Sequence, residues 1–395
     1  MKDTARRIKH DDDNIIDAIG SFECQFQSDE YIRDYRMWRK KKNNPYGFDF
    51  VEDTTVLAYM DGVGFINKKP DVEESKCLKK NMFVIGIAFC IYYIIETFGF
   101  MAVAMLTTFF GYPNTATLFT GYSTFSPEAA ALIKSVIDIL KFLIPILIIK
   151  NTIKLPASVY FPKKIMNADA FKVSLPMTMI SCAMGFILTY FMGAMLGFFS
   201  VNMNVPRIYF IEENIPVSAV VAVSIIVINA FLYEILFSGL VMQGLRQFGD
   251  GFALLFSAIA AAMMVHDISQ SACALIVTLT IAYCVMCTGS LTVGIMMRVF
   301  YNFTCYASIM LSSYLPLSYA NIVTYSTILL YLIVGIVWLV VLSKRMDNVM
   351  LYKFHRTYMK LEEKFTIALV TGIMLVWLVL TFILTTVSIN SAYII

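Results

Sequence analysis

The sequence predicts an all-α fold: a polytopic transmembrane helix bundle of about nine spans behind a small, charged, cytosolic N-terminal segment. Three observations carry this reading. Of 395 residues, 58% are hydrophobic and only 15% are Asp, Glu, Lys or Arg, against roughly 25% charged in soluble domains. The charges are segregated, with more than half of the acids before residue 81 and most others in short loops, whereas soluble helices each keep a wet face. The rest of the chain falls into long apolar runs, and mean hydropathy is +0.70.

Those runs lie at about 82–109, 129–149, 173–199, 216–245, 251–266, 271–288, 290–313, 319–343 and 366–389. A span needs roughly 20 residues at 1.5 Å rise each. Hydrocarbon offers no water to the backbone, so each run must close its own hydrogen bonds as a helix. The dyad alternation of barrel strands is missing. The partner implied is therefore the lipid bilayer. A net charge of +3 is too small to call for nucleic acid.

The N-terminal segment, 1–80, has no apolar core of signal-peptide length and is expected to stay on the side of synthesis. Within it Ser28 is expected to cap a helix running through Arg39, ended by Asn44-Pro45-Tyr46-Gly47. Arg36, Trp38, Arg39, Lys40, Lys41 and Lys42 form a basic patch, which fits either a membrane-surface contact or a solvated helix end. Basic loops follow the even-numbered runs, at Lys150 to Lys164, Arg246, and Lys344 to Lys364. Nine spans place them all on one side, with the N-terminus cytoplasmic, the C-terminus outside, and the plasma membrane as the site.

The eight cysteines do not outline a disulfide framework. Cys90, Cys182 and Cys273 lie inside apolar runs, where Cys is a small hydrophobe. Cys284 and Cys287 have a redox or zinc spacing, but no second pair accompanies them, so membrane packing is the reading adopted.

Ionisable groups inside spans are expensive and are functional candidates by default. Here they are Glu96, Lys134, Asp138, Lys141, Glu234, His266, Asp267 and Arg298. Lys134, Asp138 and Lys141 share one helix face and can neutralise one another, as a structural element or a transport pathway. Glu234, His266 and Arg298 come from three different runs. A Glu opposite an Arg is the least costly arrangement in hydrocarbon, so Glu234 is expected near Arg298. The four residues Glu234, His266, Arg298 and Asn302 are expected to share one pocket. A buried ion pair fixing helix register and a functional site both fit these residues.

At this point the sequence resembles a known family. Residues about 170–305 are similar to the CPBP (Abi or CAAX-protease) intramembrane endopeptidases. Their pattern is Glu-Glu-x-x-x-Arg, Phe-x-x-x-His and His-x-x-x-Asn on successive helices, the last often opening with Thr-Gly-Ser-Leu. This chain has Tyr233-Glu234-x-x-x-Ser238, Ala262-x-x-x-His266 and Arg298-x-x-x-Asn302, with Thr288-Gly289-Ser290-Leu291 ahead of the last. Leu236 to Leu240 and Leu245 to Gly249 follow the family's wording too. The resemblance divides the chain into the segment 1–80, additional helices at 81–160, a protease-like core at 161–315 and C-terminal helices at 316–395.

In the family, paired glutamates and histidines are held to activate water for peptide hydrolysis, on substrates such as prenylated C-terminal peptides and bacteriocin leaders. Here the first Glu, the Arg and the second His are replaced by Tyr233, Ser238 and Arg298. A phenol with a pKa near 10 is a poor base at neutral pH, and a guanidinium neither ligates metal nor shuttles protons. Arg298 reads as the charge partner that Ser238 no longer supplies, giving a structural pair Glu234–Arg298. The resemblance thus implies a non-catalytic relative that binds a membrane-embedded peptide or protein, for instance in bacteriocin immunity. Two alternatives stand beside it: an active endopeptidase with Glu234, His266 and Asn302 catalytic, Asp267 in support and a divalent metal needed only in that case, or a transporter or channel component. No metal site is otherwise assigned.

Overall fold

The computed structural model describes residues 26–48, 58–60, 64–66, 70–116, 123–199, 201, 215–345 and 352–390. Residues 1–25 and 391–395, which contribute to the orientation argument, lie outside the described residues. The elements are α1 (Asp29–Lys40), a hairpin of β1 (Ala58–Met60) and β2 (Gly64–Ile66), then α2 (Pro70–Phe109), α3 (Pro127–Ile153), α4 (Ala157–Tyr160) and α5 (Ala168–Phe198). A composite rod α6 (Ile215–Phe248) follows. The chain continues with α7 (Asp250–Met263), α8 (Ile268–Thr288), α9 (Leu291–Tyr314), α10 (Leu317–Ser343), α11 (Leu361–Val370) and α12 (Gly372–Asn390).

Six of the described helices are long and apolar enough to cross a membrane: α2, α5, α6, α8, α10 and α12. The other three expected spans are helices too. α7 has only 14 residues, about 21 Å of rise against a hydrocarbon core of about 30 Å. α3 and α9 carry the intramembrane charges Lys134, Asp138, Lys141 and Arg298. α10 shows why hydropathy finds such elements: Leu329, Leu330, Ile333 and Val337 are all more than half exposed, an apolar face that only lipid would cover. α2 runs unbroken across residue 80, so the charged segment and the first span share one helix.

α6 is not a regular helix. Two π-helical stretches, Ser224–Ile228 and Ile235–Val241, interrupt it. A π-turn widens the ladder to i→i+5 and frees carbonyls for other donors, a feature common at functional sites. Glu234 sits at the junction before the second stretch.

Helix α1 is docked, not solvated all round. Ser28 caps it, its hydroxyl accepting from the Tyr31 amide at 3.3 Å. Tyr31 and Tyr35 are buried, their hydroxyls donating to Gln243 Oε1 (2.7 Å) and to the Gln243 carbonyl (3.0 Å) on α6. Trp38 Nε1 donates to the carbonyl of Ile153 at the end of α3, at 3.1 Å. The basic patch is therefore split: Trp38 and Arg39 face protein, while Lys40, Lys41 and Lys42 are exposed. Ser158 donates to Asp34 Oδ2 at 2.7 Å, and this hydrogen bond holds the Asp34 carboxyl below its ordinary pKa.

The docking is anchored by an ion cluster at the joint of α6 and α7. Arg246, a loop charge by its position in the sequence, is fully buried. Its Nε donates to Asp250 Oδ1 at 2.8 Å, and its other nitrogens donate to Gln243 Oε1, Tyr31 Oη and Tyr352 Oη at 3.1, 3.2 and 2.6 Å. His355 Nδ1 stands 2.9 Å from Asp250 Oδ2. Removing one member of such a pair leaves an uncompensated buried charge, which costs about 3–5 kcal/mol. Arg246→Met should therefore lower the melting temperature in detergent and speed tryptic cleavage at Lys40 to Lys42, because Tyr31 and Tyr35 lose their anchor. Unchanged melting and cleavage would show that the cluster does not hold α1.

Candidate functional site

Glu234 is fully buried on α6. The i+4 residue on the same helix is Ser238, whose hydroxyl donates to Glu234 Oε2 at 2.5 Å. From α9, Arg298 Nε donates to Glu234 Oε1 at 2.7 Å. Both carboxylate oxygens are thus engaged. Arg298 has further partners beside Glu234. A terminal nitrogen donates to Thr278 Oγ1 on α8 at 2.9 Å, and the guanidinium carbon lies 4.1 Å from the centre of the Tyr233 ring. The Tyr233 hydroxyl lies 3.1 Å from the same Thr278 oxygen.

Tyr233, Ser238 and Arg298, the three departures from the family pattern, therefore all surround Glu234. The phenol ring supplies a cation–π face to the guanidinium. The serine hydroxyl fills the second carboxylate oxygen. The guanidinium stands where the family pattern has its second histidine. Helix approach allows this closeness: a side-chain carbon added at Gly294 would stand 2.5 Å from Val285 Cγ2 and 3.4 Å from Glu234 Oε2.

His266 belongs to a second cluster. It lies at the tip between α7 and α8 with a positive φ of 56°. Its Nε2 is 3.6 Å from Glu96 Oε2 on α2, and its ring packs on Tyr93 at 4.7 Å between centroids. Neither ring nitrogen, nor Glu96 Oε2, has a hydrogen-bond partner among the described residues. Glu96 Oε1 accepts from Lys141 Nζ at 2.8 Å. Asp138 Oδ1 then bridges Lys141 (2.9 Å) and Lys134 (2.7 Å). The charges of α3 thus neutralise one another and Glu96.

Of the four residues expected in one pocket, the structure gives direct contact between two. Glu234 and Arg298 meet; the contacts of His266 are with Glu96 and Tyr93. Between the clusters runs an aromatic chain, Tyr233 to Phe142 (5.9 Å), Phe142 to Tyr92 (5.3 Å), Tyr92 to Tyr93 (5.9 Å) and Tyr93 to His266. Asn302 is occupied elsewhere, donating to the Ile225 carbonyl at 3.0 Å, within the first π-helical stretch. Asp267 caps α8, accepting from the amides of Ser269 (2.8 Å) and Gln270 (3.3 Å). Glu96 was singled out in the sequence only as an unpartnered intramembrane acid. Nothing in its neighbourhood along the chain points to His266.

The donor set does not fit a catalytic divalent metal. No group of three or more His, Cys, Asp or Glu side chains gathers among the described residues. Glu234 is bound to a guanidinium, which cannot share a ligand position with a cation.

Residues 215–304 match the family described as Rce1-like, type II CAAX prenyl endopeptidase Rce1-like. The matched stretch spans α6 to the middle of α9 and contains Glu234, His266, Arg298 and Asn302. No curated protein matches the chain, and no solved structure does.

The pair makes a direct energetic prediction. Arg298→Met leaves Glu234 buried with only Ser238 and should cost about 3–5 kcal/mol. Glu234→Gln should cost similarly, and the double variant should recover more than half of the loss, because no charge is left unpaired. Thermal melts of the four proteins test this. Strictly additive losses would mean that the two groups are not coupled.

Proposed function

We propose that this membrane protein, whose core belongs to the CPBP or CAAX-protease family, no longer hydrolyses peptides and instead holds a membrane-embedded peptide or protein partner within its bundle. The observation that supports this most is that both oxygens of Glu234 are engaged by Arg298 and Ser238. A general base must reach the proton it abstracts and offer it a free lone pair in a suitable protonation state. Arg298 donates to one carboxylate oxygen and Ser238 to the other. Tyr233, at the position of the family's first Glu, has its hydroxyl beside Thr278 and its ring beneath Arg298. The losses compensate one another in charge and packing, which is what retention of a bundle without its chemistry requires.

The basic loops favour a cytoplasmic N-terminus and a C-terminus outside, and the plasma membrane is the location proposed. The docked α1 then reads as a cytoplasmic cover over the ends of α3, α6 and α7. A partner entering between the helices would meet apolar surface and the aromatic residues that separate the two polar clusters.

A second reading, an endopeptidase with a rearranged site, is favoured by one observation. His266 and Glu96 stand 3.6 Å apart with hydrogen-bonding atoms left over. In that reading His266 would be the base and Glu96 would orient it.

One assay separates the two. Purified protein in lipid nanodiscs is incubated with prenylated C-terminal peptides and with leader peptides, and both binding and cleavage are measured. The binding reading expects saturable binding, with product formation within about twofold of that by Glu234→Ala. Cleavage lost in Glu234→Ala would overturn it in favour of the family mechanism. Cleavage lost in His266→Gln and Glu96→Gln, but kept in Glu234→Gln, would establish the rearranged site.

A further inference from the structure

Where α2 enters its apolar run, Lys79, Lys80 and Phe83 fall on one helix face, at spacings of three and four. All three are exposed, Phe83 by 52%. Together with Tyr46 and Thr371 they line an open groove of about 300 Å³. That is the lower end of the range for small-molecule sites, about 300–1,000 Å³.

The walls come from three separate parts of the chain. Tyr46 belongs to the segment after α1. Its carbonyl accepts from Asn81 Nδ2 (3.0 Å) and Gln247 Nε2 (2.8 Å), which fixes that segment against α2 and α6. Thr371 is the break between α11 and α12, its hydroxyl donating to the Ile367 carbonyl at 2.8 Å. Deeper along α2 the groove is closed by helix contact. A side-chain carbon added at Gly86 would stand 2.6 Å from Ile373 Cγ2 and 3.1 Å from Met374 Sδ.

Charge is left over in this groove. Lys79 and Lys80 enter no ion pair among the described residues. The nearby acids of α2 are committed elsewhere: Glu73 to Lys76 at 3.2 Å, and Glu74 to Lys364 at 3.5 Å and to the Thr357 hydroxyl. Asp71, in the first turn, is exposed. The depth also matters. The apolar span of α12 begins at Gly372, next to Thr371, so the groove lies at the start of an apolar helix, where a lipid headgroup region is expected.

We infer that this groove binds the phosphate headgroup of an anionic phospholipid, in the leaflet on the side of α1. Two unpaired ammonium groups recognise the phosphodiester. The exposed Phe83 ring lies against the first part of an acyl chain, which a free phosphate lacks. Basic pockets between spans are a recurrent form of headgroup recognition, and each lysine near an anionic surface contributes on the order of 1 kcal/mol.

The test is native mass spectrometry of the full chain in mild detergent, titrated with dioleoylphosphatidylglycerol or dioleoylphosphatidylcholine. The expected result is preferential retention of phosphatidylglycerol by the wild type. Lys79→Gln/Lys80→Gln should weaken that binding roughly 30-fold, the value two lysines at this energy imply. Lys41→Gln/Lys42→Gln, an exposed pair outside the groove, should change it by less than about threefold. The substituted lysines are all exposed, so a circular dichroism melt should show both variants folded. The inference is overturned if the Lys79/Lys80 variant binds phosphatidylglycerol like the wild type, or if phosphatidylcholine is held equally well. It is also overturned if millimolar inorganic phosphate displaces the lipid, because the acyl chain would then add nothing.

Discussion

A carboxylate sealed from water among apolar helices must find its counter-charge within the protein, and the arrangement of α6, α8 and α9 follows from that need. Transfer of an unpaired ion from water to a low-dielectric interior costs several kcal/mol even after relaxation. Glu234 meets this by accepting from Arg298 and Ser238. Arg298 in turn requires Thr278 and the Tyr233 ring. Five side chains on three helices therefore have to be placed together, and moving one strands another. The same two partners that stabilise the buried carboxylate engage both of its oxygens.

The second intramembrane cluster obeys the same rule in a different form. On α3 the acid is flanked by two lysines one helical turn away on either side, so most of the charge cancels within one helix. The residual ammonium of Lys141 draws Glu96 across from α2 at 2.8 Å. Glu96 then lies beside His266 with one oxygen unfilled. The aromatic side chains between the clusters keep them apart. A low-dielectric separator preserves the strength of each set of interactions and prevents the charges from re-pairing.

The end of the bundle near α1 is stabilised by a more elaborate polar network. Arg246, Asp250, Gln243, Tyr31, Tyr352 and His355 tie α1, α6, α7 and the segment before α11 into one assembly. Burial also draws the Lys364 ammonium below its ordinary pKa, even with Glu74 beside it. Elements that would be separate surface loops in a simpler bundle are thereby built into the interior. The groove at Lys79 and Lys80 lies at the edge of this assembly, where its charged part meets the first spans.

Much of this was legible in the residues themselves. Apolar runs of helical length determine where helices form, because hydrocarbon leaves the backbone no other solution. The scarcity of ionisable groups within those runs singled out Glu234, Arg298, Glu96 and His266, and the spacing of Lys134, Asp138 and Lys141 implied their mutual pairing. The order of short motifs led to a family resemblance with which the match over residues 215–304 agrees. What the sequence does not contain is the rotation of each helix about its own axis. That rotation decides which neighbour a side chain faces, and it is set by packing between segments far apart in the chain. Hence only the tertiary structure assigned His266 to Glu96, turned Trp38 and Arg246 inward, committed Asn302 to a π-helical carbonyl, and left two lysines facing an open groove.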